Sequence, residues 1–294
     1  MNMVDSSILL ALCSLVIYGL TQVIAKAAVG SLDSTRMVAL NFLVSIPIYV
    51  FLFVCAVVIW GGYLDNLEYV FYGLIGASTA RGGYYIYLEA LERGAVSMVG
   101  SITAAFPAIT AVLAVTMLGE RLGVVNSIGI TIIICSMIAL SLLQGRSAEN
   151  AGLSRISLVL SVVTLLIWGF GGIFIKMALD GLPLVGYLGL YVFVLPPIAF
   201  AFLRHKGATM RVLIPRWTIP VIGAIVVAEL WQLGYFAETS AISVGAASVV
   251  FPLISAYPIV TILGARIFLK ESLTRLEWTV LMTVVFGIVL TSIA

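Results

Sequence analysis

The sequence predicts an all-α polytopic membrane protein, with ten transmembrane helices arranged as two inverted five-helix repeats around a central cavity. Three observations carry that prediction. Of 294 residues, 62% are hydrophobic and only 10% charged, and the mean hydropathy is +1.21. A soluble domain carries about 25% charged residues, so this chain lacks the polar groups to cover a water-facing surface. Apolar runs of about 20 residues, the length that crosses a bilayer, recur about ten times. Finally, one stretch occurs twice. Tyr84 and Tyr235, Ala90 and Ala241, Gly94 and Gly245, Pro107 and Pro258, and Glu120 and Glu271 all stand 151 positions apart. In a membrane protein such a repeat points to two related halves.

The runs fall at 7–28, 35–59, 68–89, 95–118 and 124–143, then at 155–178, 184–203, 217–240, 245–268 and 274–293. The polar break from Gln144 to Asn150 separates them. The domains are therefore 1–145 and 152–294, joined by a linker at 146–151. Five passes per half is an odd number, so the second half enters the membrane upside down. The early helices match as well: Tyr18-Gly19 pairs with Trp168-Gly169, Lys26 with Lys176 and Pro47 with Pro197, each 150 positions on. One inserted residue before the third helix of the second half turns 150 into 151.

Basic loop residues set orientation. Arg93, Arg146, Arg155, Arg204, Lys206, Arg211, Arg216, Lys270 and Arg275 share one side, whereas Arg121 and Lys176 lie on the other. That rule puts the rich side in the cytoplasm and both termini outside the cell membrane. The net charge of +2 gives no reason to expect nucleic acid. Cys13, Cys55 and Cys135 have no metal spacing and read as small buried apolar residues. No metal or cofactor is expected. No basic lead-in precedes the first run, so it reads as helix one and not as a cleavable leader. A homodimer is compatible with the sequence.

The Tyr/Trp-Gly pair with a lysine seven residues on, the Tyr…Ala-Leu segment, the fourth-helix proline and the Leu118-Gly119-Glu120-Arg121-Leu122 turn resemble the EamA repeat. That repeat builds ten-helix members of the drug/metabolite transporter superfamily, and the likeness spans about residues 8 to 293. The second copy has Lys270-Glu271 where Gly-Glu is usual, and the first has Tyr18 where Trp is commoner. The resemblance implies a cavity between the halves, alternating access and a small organic solute. Members are usually drawn with cytoplasmic termini, opposite to the reading from loop charges.

Two charges fall in mid-span. Arg81 lies near the centre of the third helix and Glu229 near that of the eighth. Each costs at least about 2.5–3.5 kcal/mol to insert there, which calls for a cavity or a partner. The offset of 151 aligns Ser78 with Glu229 and Arg81 with Gln232. Positions three apart share a helix face, so two related polar faces meet at the pseudo-axis. Arg81 would bind a carboxylate or phosphate through its fork. Glu229 would hold an amine or carry a coupling proton. A structural ion pair joining the halves is the other reading.

Aromatic residues complete the expected site: Tyr18 and Trp168 at mid-helix beside glycines, Tyr84, Tyr85 and Tyr235 one turn from the charges, and Trp231 next to Gln232. Such rings stack on flat or cationic solutes. Pro107 and Pro258 fall inside helices four and nine and would free the carbonyls of Thr103 and Ile254, as a kink or a hinge. Small residues open those helices: Gly94, Ala95, Ser97 and Gly100, then Gly245 to Ser248. Lys26 and Lys176 suit structural or gate roles, Asn41 and Gln22 suit bonds between helices, and Glu120 and Glu271 suit caps. Trp60, Tyr63 and Trp217 suit the membrane interface.

A secondary transporter of an amino acid or similar zwitterion fits these features, coupled to protons or working by exchange. An alternative is transport of organic cations or drugs through Glu229 and an aromatic cage. A non-transporting scaffold or sensor is a further alternative, though mid-membrane charges gain it nothing. An enzyme is excluded by the lack of a His-Glu-x-x-His motif, of a phosphate loop and of a nucleophile beside the single His205.

Overall fold

The computed structural model describes residues 3–28, 32–93, 99, 102–103, 105–148, 155–208, 217–268 and 274–293. The first half holds α1 (Met3–Ala28), α2 (Ser34–Ile59), α3 (Leu67–Arg93), α4 (Phe106–Met117) and α5 (Val124–Ala148). The second holds α6 (Arg155–Leu179), α7 (Leu184–Gly189), α8 (Tyr191–His205), α9 (Ile219–Val244), α10 (Ala247–Ser255), α11 (Pro258–Phe268) and α12 (Arg275–Ile293). No strand occurs among the described residues. Seven helical stretches are long and apolar enough to cross a bilayer, with α7–α8 and α10–α11 each counting as one. α4 and α5 add shorter apolar segments. α3 is long enough, but Arg81 and its tyrosines, glycines and glutamates dilute its hydropathy.

The halves interlock. α1 lies against α9 of the other half: Ser14 donates to the Gly234 carbonyl at 2.9 Å, and Ser7 packs on Gly245. Rising numbers on one helix meet falling numbers on the other, so the pair is antiparallel. α6 meets α3 in the same sense, from Ser157 on the Ala90 carbonyl (2.9 Å) to Gly181 on Tyr69. Glycines permit both crossings. A Cβ built on Gly234 would sit 2.7 Å from Tyr18, and one on Gly83 would collide with the indole of Trp168. Those glycines are 151 apart and those rings 150 apart. Thr261 donates to the Gly19 carbonyl at 3.2 Å and Thr110 to that of Gly169 at 2.9 Å, another symmetric pair. α5 and α12 cross where Gly129 and Gly287 face each other's carbonyls. These repeated contacts are the inverted repeat written in side chains.

Several expectations need revision. The prolines do not bend continuous helices. Pro107 is the second residue of α4 and Pro258 the first of α11, so each begins a new segment. The Ile254 carbonyl is not free, because Tyr257 N–H donates to it at 3.0 Å in a tightened last turn. α5 runs to Ala148, three residues into the expected linker, and α9 runs to Val244, four beyond its expected end. Cys13 and Cys135 are exposed, not buried. A small apolar thiol suits a lipid-facing helix surface as well as a core. Gly94, Ala95, Ser97, Gly100, Arg211, Arg216, Lys270, Glu271 and the Lys26 and Arg146 side chains lie outside the described residues.

Candidate functional site

A cavity of about 110 Å³ lies between the halves. α3 contributes Arg81, Tyr84 and Tyr87 to its wall, α9 contributes Trp231, Gln232, Tyr235 and Glu238, and α1 and α6 contribute Tyr18 and Trp168. Phe106, Phe251 and Tyr257 line it where the fourth and ninth passes break. Helix period explains the α9 set: residues 231, 235 and 238 recur at steps of four and three on one face, with Gln232 at its edge.

Arg81 is 5% exposed. Its Nη1 donates to Asn41 Oδ1 at 2.8 Å, and its Nη2 to the Tyr49 hydroxyl at 2.9 Å and to Gln232 Oε1 at 3.3 Å. Tyr49 in turn donates to Gln232 Oε1 at 3.0 Å. The guanidinium carbon stands 5.5 Å from the Tyr191 ring centre and 5.9 Å from that of Tyr49, which stack on each other. Arginine has no acceptor, so it fixes the amides of Asn41 and Gln232 with their oxygens inward. Their nitrogens are thereby left over. Arg81 Nε, Asn41 Nδ2 and Gln232 Nε2 are buried without hydrogen-bond partners. No carboxylate pairs with Arg81 among the described residues. The cavity wall thus holds a cation, with unfilled donors on Arg81 itself and on Gln232, and a third on Asn41 behind them.

Charged hydrogen bonds contribute about 1.5–3 kcal/mol each. Burying an ion costs several kcal/mol. The neutral partners and ring faces of Arg81 bring those terms near balance but leave the donors unfilled. An acceptor-rich anion fits this environment best.

A second pole stands at Glu238, which is 8% exposed. Tyr18 donates to its Oε2 at 2.6 Å, and no partner occupies Oε1 among the described residues. The Tyr18 ring lies 4.8 Å from Trp231, and Trp231 lies 5.5 Å from Tyr84. Tyr235 binds the hydroxyls of Tyr187 (2.7 Å) and Tyr191 (2.6 Å).

Of the residues singled out in the sequence, Arg81, Tyr18, Tyr84, Trp168, Trp231, Gln232 and Tyr235 come together on this wall. Ser78, Tyr85 and Glu229 stand off it. Three residues along a helix turn a side chain about 60° from its neighbour's direction. Glu229 is thereby carried past the edge marked by Gln232 and is half-buried on α9. Ser78 is displaced likewise, half-buried on α3. Tyr85 packs behind Arg81, its ring 5.6 Å from Phe202. Sequence reasoning missed Glu238. Its span was expected to end at 240, which put Glu238 at a boundary; the helix continues a further turn and draws it inward. Tyr49 and Tyr191 gave no signal, because a tyrosine in an apolar run looks like any packing ring.

A family model described as the EamA-like transporter family matches residues 5–142 and again 155–293. A solved crystal structure superposes with a TM-score of 0.75 over 98% of this chain and 96% of the other, at 13% identity, a likeness of fold alone. No curated protein matches the sequence.

Proposed function

Since the chain belongs to the EamA-like transporter family, whose members move small solutes across membranes, we propose that its solute is a small organic acid carrying a cationic group as well, an amino acid or similar zwitterion. The observation that carries this reading is the uncompensated guanidinium of Arg81, with its own Nε and the amide nitrogens of Asn41 and Gln232 unfilled. A solute carboxylate supplies the missing charge and acceptors together. The solute would cross by alternating access, the two halves closing over the cavity from opposite sides in turn, driven by a proton or by exchange. The excess of basic residues in the odd-numbered connections supports an orientation with both termini outside the cell membrane.

The organic-cation alternative draws support from the Glu238 carboxylate among Tyr18, Trp231 and Tyr235. Arg81 in the same cavity opposes it, since a lone cation would be repelled.

Flux into liposomes tests the proposal. Arg81→Gln removes the charge, and solute affinity should fall about 10- to 100-fold, one charged contact's worth. Arg81→Lys keeps the charge without the planar fork and should fall between. Wild-type flux of every acidic solute in Arg81→Gln would refute it.

A further inference from the structure

We propose that Glu238, oriented by Tyr18, is the subsite for the cationic group of the solute, and that the small cavity it shares with Arg81 selects an α-amino acid. The inference rests on the acid-group reading above and adds the second pole. Gln232, bonded to Arg81 at 3.3 Å, and Glu238 are six residues apart on α9. Together with Arg81 they line one cavity of about 110 Å³. A solute whose amine and carboxylate share one carbon can meet both poles in so small a space, whereas an ω-amino acid must fold or lose a contact.

The pseudo-symmetry shows that this pole is not a by-product of the fold. Glu238 corresponds to Tyr87 and Tyr18 to Trp168. On one flank of the Arg81–Gln232 pair the cavity therefore carries a tyrosine bonded to a carboxylate, and on the other the ring pair Tyr87–Trp168, with centroids 5.6 Å apart. The helix contacts at both places are equivalent, yet among the described residues only one flank is charged. Tyr18 holds Oε2 and leaves Oε1 to a ligand. An amino acid fits this asymmetry in one orientation: carboxylate on Arg81, amine on Glu238 and an apolar side chain on Tyr87 and Trp168.

The test uses the full-length protein with matched probes: leucine and phenylalanine, their des-amino acids isocaproate and hydrocinnamate, and ε-aminocaproate. The readouts are thermal stabilisation and liposome uptake. The wild type should bind the better amino acid at least tenfold more tightly than its des-amino partner and than ε-aminocaproate. Glu238→Gln should bring the first ratio to within twofold while keeping affinity for the des-amino acid. Tyr18→Phe, which loses only a hydroxyl, should narrow the ratio part-way and serves if Glu238→Gln fails to fold. An unchanged ratio in a folded variant overturns the assignment, as does equal binding of the amino and des-amino probes by the wild type. Unchanged binding of all acids in Arg81→Gln instead overturns the acid-group reading, which separates the two failures.

Discussion

Glu229 and Glu238 sit nine positions apart on one helix, and their surroundings give them different roles. Glu229 is half-buried and outside the cavity wall, whereas Glu238 is buried in it. Glu229→Gln should therefore leave solute affinity within about twofold, the scale of a surface change. Isothermal titration with the tightest-binding of the proposed amino-acid solutes checks this, and a tenfold loss would return Glu229 to the site. At this scale the sequence is legible only in part. Arg81 stands out because a guanidinium in mid-span demands an explanation. The partners that hold it, Asn41, Tyr49 and Gln232, come from different helices, and no spacing along one chain segment announces them. Glu238 was hidden by an end-of-helix error of one turn.

Helix ends carry the polar ties between elements. Glu120, in the turn after α4, accepts from the backbone N–H groups of Ala247 and Ser248 at 2.8 and 2.9 Å and from the Ser248 hydroxyl at 2.5 Å. It caps the first turn of α10 across the boundary between halves, and its negative charge suits the helix N-terminus. Glu120→Ala should cost about 1–3 kcal/mol, measured by chemical denaturation in micelles. At the opposite face Lys206, after α8, reaches Glu89 at 2.5 Å and Glu92 at 2.6 Å near the end of α3. Burial alone would raise the Glu92 carboxyl, but Lys206 and the Ser34 N–H outweigh it and hold the group below its ordinary range. A lowered carboxyl contributes stability that is present above its unfolded value and lost as pH falls through the folded one. The melting temperature should thus be flat near neutrality and drop on the acid side of the carboxylate range. Lys206→Met should shrink that drop. Elements were the most legible level, because twenty-residue apolar runs are hard to miss. Breaks within passes leave no separate signal, since a proline looks the same whether it bends a helix or starts one.

For the whole molecule, duplication was legible because Gly, Pro and Glu landmarks keep one offset, and its consequence is a machine with two equivalent ends. The cap at Glu120 ties the first half to the second. If the proposed alternating access holds, that tie must open whenever the cavity faces that side. The same offset carries Glu120 to Glu271 and Ser248 to Ser97. If the tie is a gate, fixing it must stop transport without harming the cavity. Cysteines at 120 and 248, in a background with Cys13, Cys55 and Cys135 replaced, should join through a short bifunctional thiol reagent. The cross-linked protein should keep amino-acid binding within about twofold of the uncross-linked form while its flux falls more than tenfold, and a cleavable reagent should restore flux on reduction. Binding lost together with flux would mean that the cavity was distorted. Flux that persists in fully cross-linked protein would show that the halves exchange access without parting at Glu120, and rocking about the pseudo-axis would have to be replaced by motion inside one half.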